Sequence, residues 1–322
     1  GRHWTWPVPV GPIRRVWPAP WTSRSGWLAG PTAGMRDAAR QYAPLAKKRL
    51  GQHFLHDPGV IQRLVEAIRP RPGDHLVEIG PGTGALTLPL LRSHGALDAV
   101  ELDRDLIPRL RSAAEGLGTL TIHEADALRF DYSRCHGGGE PLRIVGNLPY
   151  NISTPLLFHL LGQSVAIRDL HVMLQLEVVQ RLEARPGSRI FGRLSVMVQY
   201  HCEVESLFRV GSGAFRPPPA VESAVVRLRI RPPPRPARQP ALFARLVTAG
   251  FGQRRKTLRR ALAGLVADRT FKAVGIDPGA RAEVLGVDQW VQLANACVDV
   301  QEDETDGSRS KLHAHTAVRR LQ

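Results

Sequence analysis

The chain has 322 residues and a formal net charge of +15, from 44 Lys and Arg against 29 Asp and Glu. That length suits one or two domains around a large core, and that charge favours a polyanionic partner. No apolar run reaches the roughly 18 residues a membrane span needs, and Cys135, Cys202 and Cys297 lack both paired and zinc-type spacing, so no membrane and no metal are expected, but a cytoplasmic protein with reduced thiols.

Residues 1–46 look foreign to the rest. They hold five of the six tryptophans (Trp4, Trp6, Trp17, Trp21 and Trp27), and Asp37 is their only acid. They read as a disordered or non-native extension, translated from upstream of the natural start, in which no function is sought. Basic character belongs to the body instead: residues 47–298 carry 34 Lys and Arg against 23 Asp and Glu, a net +11.

The basic triplet Lys47-Lys48-Arg49 is a candidate phosphate contact. After Gly51-Gln52-His53-Phe54-Leu55, Asp57 and Pro58 read as the cap and first turn of a helix with Val60, Ile61, Leu64, Val65 and Ile68 on one face. Strand signals then alternate with helical ones: His75–Ile79, Asp98–Leu102, Thr119–His123, Leu142–Val145 and Leu170–Leu174. This alternation predicts an α/β fold with a doubly wound, mostly parallel sheet. Two later runs, Val196–Val204 and Ser223–Ile230, have no long helix between them and are expected to form an antiparallel edge pair.

The first strand runs into Glu78-Ile79-Gly80-Pro81-Gly82-Thr83-Gly84-Ala85, where glycines permit a sharp turn and close approach to a ligand. Glu101 stands about twenty residues on, where dinucleotide-binding folds place a ribose-binding acid. The turn alone leaves a nicotinamide cofactor and S-adenosylmethionine both open. Asp126, after the third of these strands, is placed to read an adenine amine. Gly146-Asn147-Leu148-Pro149-Tyr150-Asn151 then sets an amide, a rigid turn and an aromatic between strand and helix.

Such a quartet suits alkylation of a conjugated amine. The exocyclic amine of adenine is a poor nucleophile, so it needs acceptors that hold its hydrogens and aim its nitrogen. Asn147 offers a side-chain carbonyl and Leu148 a backbone one. Pro149 fixes the turn, and Tyr150 offers a flat face for an unstacked base. Phe215, opening Phe215-Arg216-Pro217-Pro218-Pro219, is a candidate to close over the base from the other side. Extruding a base costs a few kcal/mol, and each aromatic face returns about 1–3 kcal/mol, so two faces cover what one does not.

Residues 231–240, rich in Pro and Arg, read as a stiff connector closing a domain of residues 47–230. Beyond it, residues 241–298 are expected to form a small helical RNA-binding domain. Its basic cluster is Arg254, Arg255, Lys256, Arg259 and Arg260, and the spacing of four puts Arg255 and Arg259 on one helical face. Residues 299–322 mix charges with few apolar anchors and are expected to be disordered.

Taken together, these motifs closely resemble the small-subunit ribosomal RNA adenine dimethyltransferases of the KsgA type. The resemblance runs in order over residues 47–298 and includes Phe191-Gly192-Arg193-Leu194-Ser195 and Gln253-Arg254-Arg255-Lys256-Thr257-Leu258. It implies a Rossmann-like class I methyltransferase with a small C-terminal all-helical domain, using S-adenosylmethionine. The implied reaction is dimethylation of two adjacent adenosines near the 3′ end of small-subunit rRNA, in an assembling subunit and with no obligate protein partner evident. By motif position it implies a cofactor site lined by His53, Leu55, Gly80, Glu101, Asp126 and Asn147; His53 stands where asparagine is also common. The rivals are a large-subunit rRNA methyltransferase of the macrolide-resistance type, a nicotinamide oxidoreductase, and a catalytically silent assembly or transcription factor. Intact Asn147, Pro149 and Tyr150 weigh against the last.

Overall fold

A computed structural model of the chain describes residues 46–136 and 139–299. The expected extension up to residue 45 and the tail from residue 300 lie outside the described residues. In chain order the strands are β1 (Phe54–Leu55), β2 (His75–Ile79), β3 (Ala96–Glu101), β4 (Thr119–Glu124), β5 (Leu142–Asn147), β6 (Ile167–Gln175), β7 (Cys202–Val210), β8 (Phe215–Arg216) and β9 (Ser223–Ile230).

Seven of them form one sheet in the order β4-β3-β2-β5-β6-β9-β7, while β1 and β8 pair separately, with Leu55 opposite Phe215. The contacts among β2 to β6 are parallel, and β9 runs antiparallel to both β6 and β7. From β2 the chain steps outward to β3 and β4, then returns to β5 on the other side of β2. That reversal opens a crevice at the carboxyl ends of β2 and β5, where the glycine turn and the Asn147 quartet both emerge.

Alternation along each strand feeds two layers. Val77, Ile79 and Ile144 enter one core with Leu156, Leu157 and Leu160 of the helix Ser153–Gly162. Leu76 and Val145 enter another, with Leu64 and Ile68 of the helix Pro58–Ile68. That helix starts as expected: Asp57 Oδ1 accepts from Val60 N at 2.9 Å, with Pro58 in the first turn. Far from the crevice, buried Arg143 of β5 bonds Asp169 of β6 at 3.1 Å and Asp74 at 2.7 Å, tying the two strands together.

One expected strand is corrected. Residues Arg193–His201 are helical, and β7 begins only at Cys202. Buried Leu194, Val196, Val198 and Tyr200 imitate the two-residue period of a strand. They do so because the helix lies between two cores: Leu194 and Val198, four apart, pack on the sheet, whereas Val196 and Tyr200 pack with Phe243, Leu246 and Trp290 of the C-terminal helices. Those helices include Pro240–Gly252, Leu258–Ala261 and Asp268–Ala273, followed by a helix over residues 287–299. They share a core with Phe191, Val196 and Tyr200. No described helix is long and apolar enough to cross a membrane.

Candidate active site

The crevice is a cleft of about 240 Å³. His53, Leu55, Gly80, Glu101, Asp126 and Asn147, the six cofactor candidates, all line it, as do Leu148, Pro149 and Tyr150. The glycine turn adopts left-handed backbone at Gly80 (φ 67°) and Gly82 (φ 57°), conformations that favour residues without a Cβ. At Gly82 a Cβ would also stand 3.2 Å from the Phe54 ring. Gly146 serves a different need, since a Cβ there would meet the Ile79 carbonyl oxygen at 2.5 Å; its absence lets β5 deliver Asn147 close beside the turn.

Glu101 ends β3 with its carboxylate tied into this turn. Its Oε2 accepts from Gly82 N at 3.1 Å and its Oε1 from Asp103 N at 2.7 Å. Burial nevertheless holds its pKa above the ordinary carboxylate range, against those bonds. Glu78 is more extreme: burial, with the nearby Glu101 charge, pushes it up to about 8, although Thr87 Oγ1 donates to it at 2.6 Å. Asp126 uses Oδ1 to accept from Leu128 N at 2.9 Å, fixing the turn after β4.

Asn147 stands at the last position of β5. Its Nδ2 donates to the His53 carbonyl at 2.8 Å, and its Oδ1 is buried with no hydrogen-bond partner. The amide is thus oriented by the protein, with its acceptor unspent. Leu148 is locked by its backbone N–H on Met173 O at 3.2 Å and by a buried side chain. The Tyr150 hydroxyl is hydrogen-bonded to Ser223 Oγ, and its ring is stacked with that of His53.

Phe215 is corrected. It is 1% exposed and lies in the core with Leu55, Val210 and Ala214, because its pairing with Leu55 in the β1-β8 ribbon turns it inward. It offers no face to the cleft. The triplet at 47–49 is also partly reassigned: Lys47 Nζ bonds Asp103 and Asp105, and Gln52 Nε2 donates to Asp103 at 2.9 Å. These bonds strap the segment bearing His53 to the loop after Glu101, a tie between residues about fifty apart with no local sequence signal.

A profile described as Ribosomal RNA adenine dimethylase matches residues 44–299. The chain belongs to this family. It is 53% identical over 260 residues to the Ribosomal RNA small subunit methyltransferase A of Pseudomonas aeruginosa, covering 80% of this chain and 97% of that one. To the protein of the same name from Xanthomonas campestris strain B100 it is 56% identical over 255 residues, covering 78% and 95%. Among solved structures, a dimethyladenosine transferase from Plasmodium falciparum superposes with a TM-score of 0.63 at 22% identity, covering 75% of this chain and 96% of that one. The 23S rRNA methyltransferase ErmE gives 0.58 at 26% identity, covering 76% and 99%. The fold is that of Rossmann-like class I methyltransferases, and the chain is an adenine dimethylase by family.

On this dimethylase the basic cluster divides. Arg254 donates to the carbonyls of Arg189 and Phe191 at 2.7 and 3.2 Å and pairs with Glu283 at 2.8 Å, so it fastens the C-terminal helices to the loop before Arg193. Arg255 and Lys256 lie in the turn after Gly252, before the helix Leu258–Ala261 begins. The single helical face expected for Arg255 and Arg259 is therefore corrected. Arg259 pairs with Asp268 at 3.0 Å on the surface, while Arg255, Lys256 and Arg260 are exposed.

A second cluster escaped the sequence. Asp98, His123 and Cys135 approach within 4.8 Å of one another, from β3, β4 and the helix Ser133–His136. Asp98 accepts from His75 at 2.8 Å and from His123 at 2.7 Å, which closes the group by hydrogen bonds. Burial, with the Asp98 charge, pushes the Cys135 thiol up to about 11.

Proposed function

We propose that this chain transfers methyl groups from S-adenosylmethionine to the exocyclic amines of two adjacent adenosines near the 3′ end of small-subunit rRNA, two to each. The observation that carries this reading is the oriented Asn147 amide, its Oδ1 buried and unpartnered in a cleft that also holds the Gly80–Gly82 turn and Glu101. Family membership supports the reaction class. The names of the P. aeruginosa and X. campestris relatives support the small subunit as substrate, and a net +11 over residues 47–298 suits RNA.

The donor set fits the cofactor. Glu101 would hold the ribose hydroxyls, Asp126 the adenine amine through the oxygen that Leu128 does not use, and the glycine turn with buried Glu78 the charged amino-acid end. S-adenosylmethionine supplies a methyl carbon activated by sulfonium. Asn147 Oδ1 and the Leu148 carbonyl take the two hydrogens of the target amine and aim its lone pair along the line of displacement. Tyr150 supports the base plane. As the N–C bond formed, the S–C bond to the methyl would break and the neutral thioether would leave, passing positive charge from sulfur to nitrogen, so positioning matters more than a strong base. The cationic nitrogen then loses its proton to water.

A second reading, methylation of large-subunit rRNA, is favoured by the likeness to ErmE. Incubation with labelled methyl donor and unmethylated small or large subunits, followed by mapping of the modified nucleotide, separates the two. Label confined to paired small-subunit adenosines is expected; label on the large subunit overturns the first reading.

A further inference from the structure

Away from the cleft, at the β4 edge of the sheet, three side chains of different chemistry converge. Asp98 of β3, His123 of β4 and Cys135 of the helix Ser133–His136 bring a carboxylate oxygen, an imidazole nitrogen and a thiol within 4.8 Å of one another, and none of the three lines the cleft. Asp98 Oδ1 stands 2.7 Å from His123 Nε2, and Cys135 Sγ stands 3.6 Å from the same nitrogen. A nucleophilic triad needs the acid and the thiol on opposite ring nitrogens, so this arrangement is not one. Donors gathered about a single nitrogen are instead placed to share an ion.

We propose that Asp98, His123 and Cys135 form a site for a divalent transition-metal ion of the zinc type, with water as the fourth ligand. Thiolate, imidazole and carboxylate are the donors that tetrahedral zinc takes. With bonds of about 2.3 Å to sulfur and about 2.0–2.1 Å to nitrogen, the tetrahedral angle sets those two atoms about 3.6 Å apart, the spacing that Cys135 and His123 already hold. Asp98 Oδ1 would draw back from His123 Nε2 by about 0.6–0.7 Å to reach the matching oxygen–nitrogen spacing. Metal entry replaces the hydrogen bond between these two: the Nε2 proton of neutral His123 moves to Nδ1 by exchange with solvent, and the coordinated Cys135 thiol releases its proton to water. Outside the ligand set, His75 Nε2 donates to Asp98 Oδ2 at 2.8 Å, which orients the carboxylate and leaves Oδ1 for the ion. The Phe130 ring, with its centroid 5.0 Å from that of His123, packs against the imidazole. Cys135 is buried, whereas the Asp98 and His123 side chains keep 18% and 24% of their surface exposed, which gives the ion and its water a way in. The ion would staple the four-residue helix Ser133–His136 to β3 and β4, fixing the connection between β4 and β5.

The test titrates the full chain, reduced and stripped of metal, with zinc in competition with a chromophoric chelator, and repeats the titration with cobalt as a spectroscopic probe. Wild type is expected to take zinc from the chelator at one site per chain. Cys135→Ser and His123→Gln should each weaken that site about 100-fold or more, and His75→Ala about tenfold. Cobalt on the wild-type chain is expected to show a thiolate-to-metal charge-transfer band, lost in Cys135→Ser and kept in Cys202→Ala and Cys297→Ala, whose thiols are buried elsewhere. The wild-type spectrum decides even where a variant fails to fold. A cobalt complex without the thiolate band, or no zinc taken from the chelator, overturns the site. Zinc binding undiminished by both ligand substitutions lies elsewhere on the chain and overturns it equally. Methyl transfer enters none of these measurements, so their outcome stands apart from the function proposed above.

Discussion

Asn147 and His53 are joined by a 2.8 Å hydrogen bond from the Asn147 amide nitrogen to the His53 carbonyl, leaving Asn147 Oδ1 buried and unpaired. A buried acceptor without a partner costs about 1–3 kcal/mol, a deficit that, on the proposed reading, an incoming amine would relieve. The bond also ties together residues 94 positions apart in sequence.

Asn147→Ala is accordingly expected to leave cofactor and RNA affinity nearly intact while lowering the single-turnover rate by about 10²-fold, the scale seen when one oriented polar group is removed from a reaction centre. Rapid-quench methyl transfer with saturating RNA measures it. A rate near wild type would remove the Asn147 acceptor from the chemistry.

Phe215 leads to an opposite expectation. Its ring is in the core, so Phe215→Ala should cost about 3–5 kcal/mol of stability, and the volume-closer Phe215→Leu should retain kcat wherever it stays folded. Urea unfolding paired with turnover resolves the two effects; a large kcat loss in a stable Phe215→Leu protein would return the ring to the site.

Glu78 gives a pH signature. Its folded pKa is raised from an ordinary value of 4.5 to about 8, so between those limits the folded chain keeps a proton that the unfolded chain has released. Stability therefore declines as pH rises through that window. Glu78→Gln can still accept from Thr87 but cannot ionise, so the melting temperature of the variant should gain on that of wild type from pH 5 to pH 8. Parallel curves would mean that Glu78 is not held neutral.

On the basic surface, exposed Arg255, Lys256 and Arg260 are expected to serve phosphate. Replacing each by Gln should weaken RNA binding and lower the salt slope by about 0.7–0.9 per residue. Arg254→Gln should act differently, loosening the tie to Arg189, Phe191 and Glu283 and lowering thermal stability more than it lowers the slope. Filter binding across a salt series, with thermal melts, separates the two classes.

The strand and helix alternation, the glycine turn and the Asn147 quartet were legible in the sequence, because each follows from local chemistry. Apolar runs of strand length, caps such as Asp57, and positions open only to glycine carry their instructions within a few residues. What the sequence hid depends on partners far along the chain. The apolar alternation from Leu194 to Tyr200 has a strand's period, and only the presence of a core on each side of that segment makes it a helix. Phe215 beside its prolines looks like a ring offered to a ligand, and its pairing with Leu55 turns it inward. The ring that does face Tyr150 is His53, brought there from the other end of the domain by bonds to Asn147 and Pro217. Local propensity thus determined which elements form and which polar groups stand at their ends; tertiary burial decided which side of each group meets the cleft, because that choice is settled by contacts between segments that no short window contains.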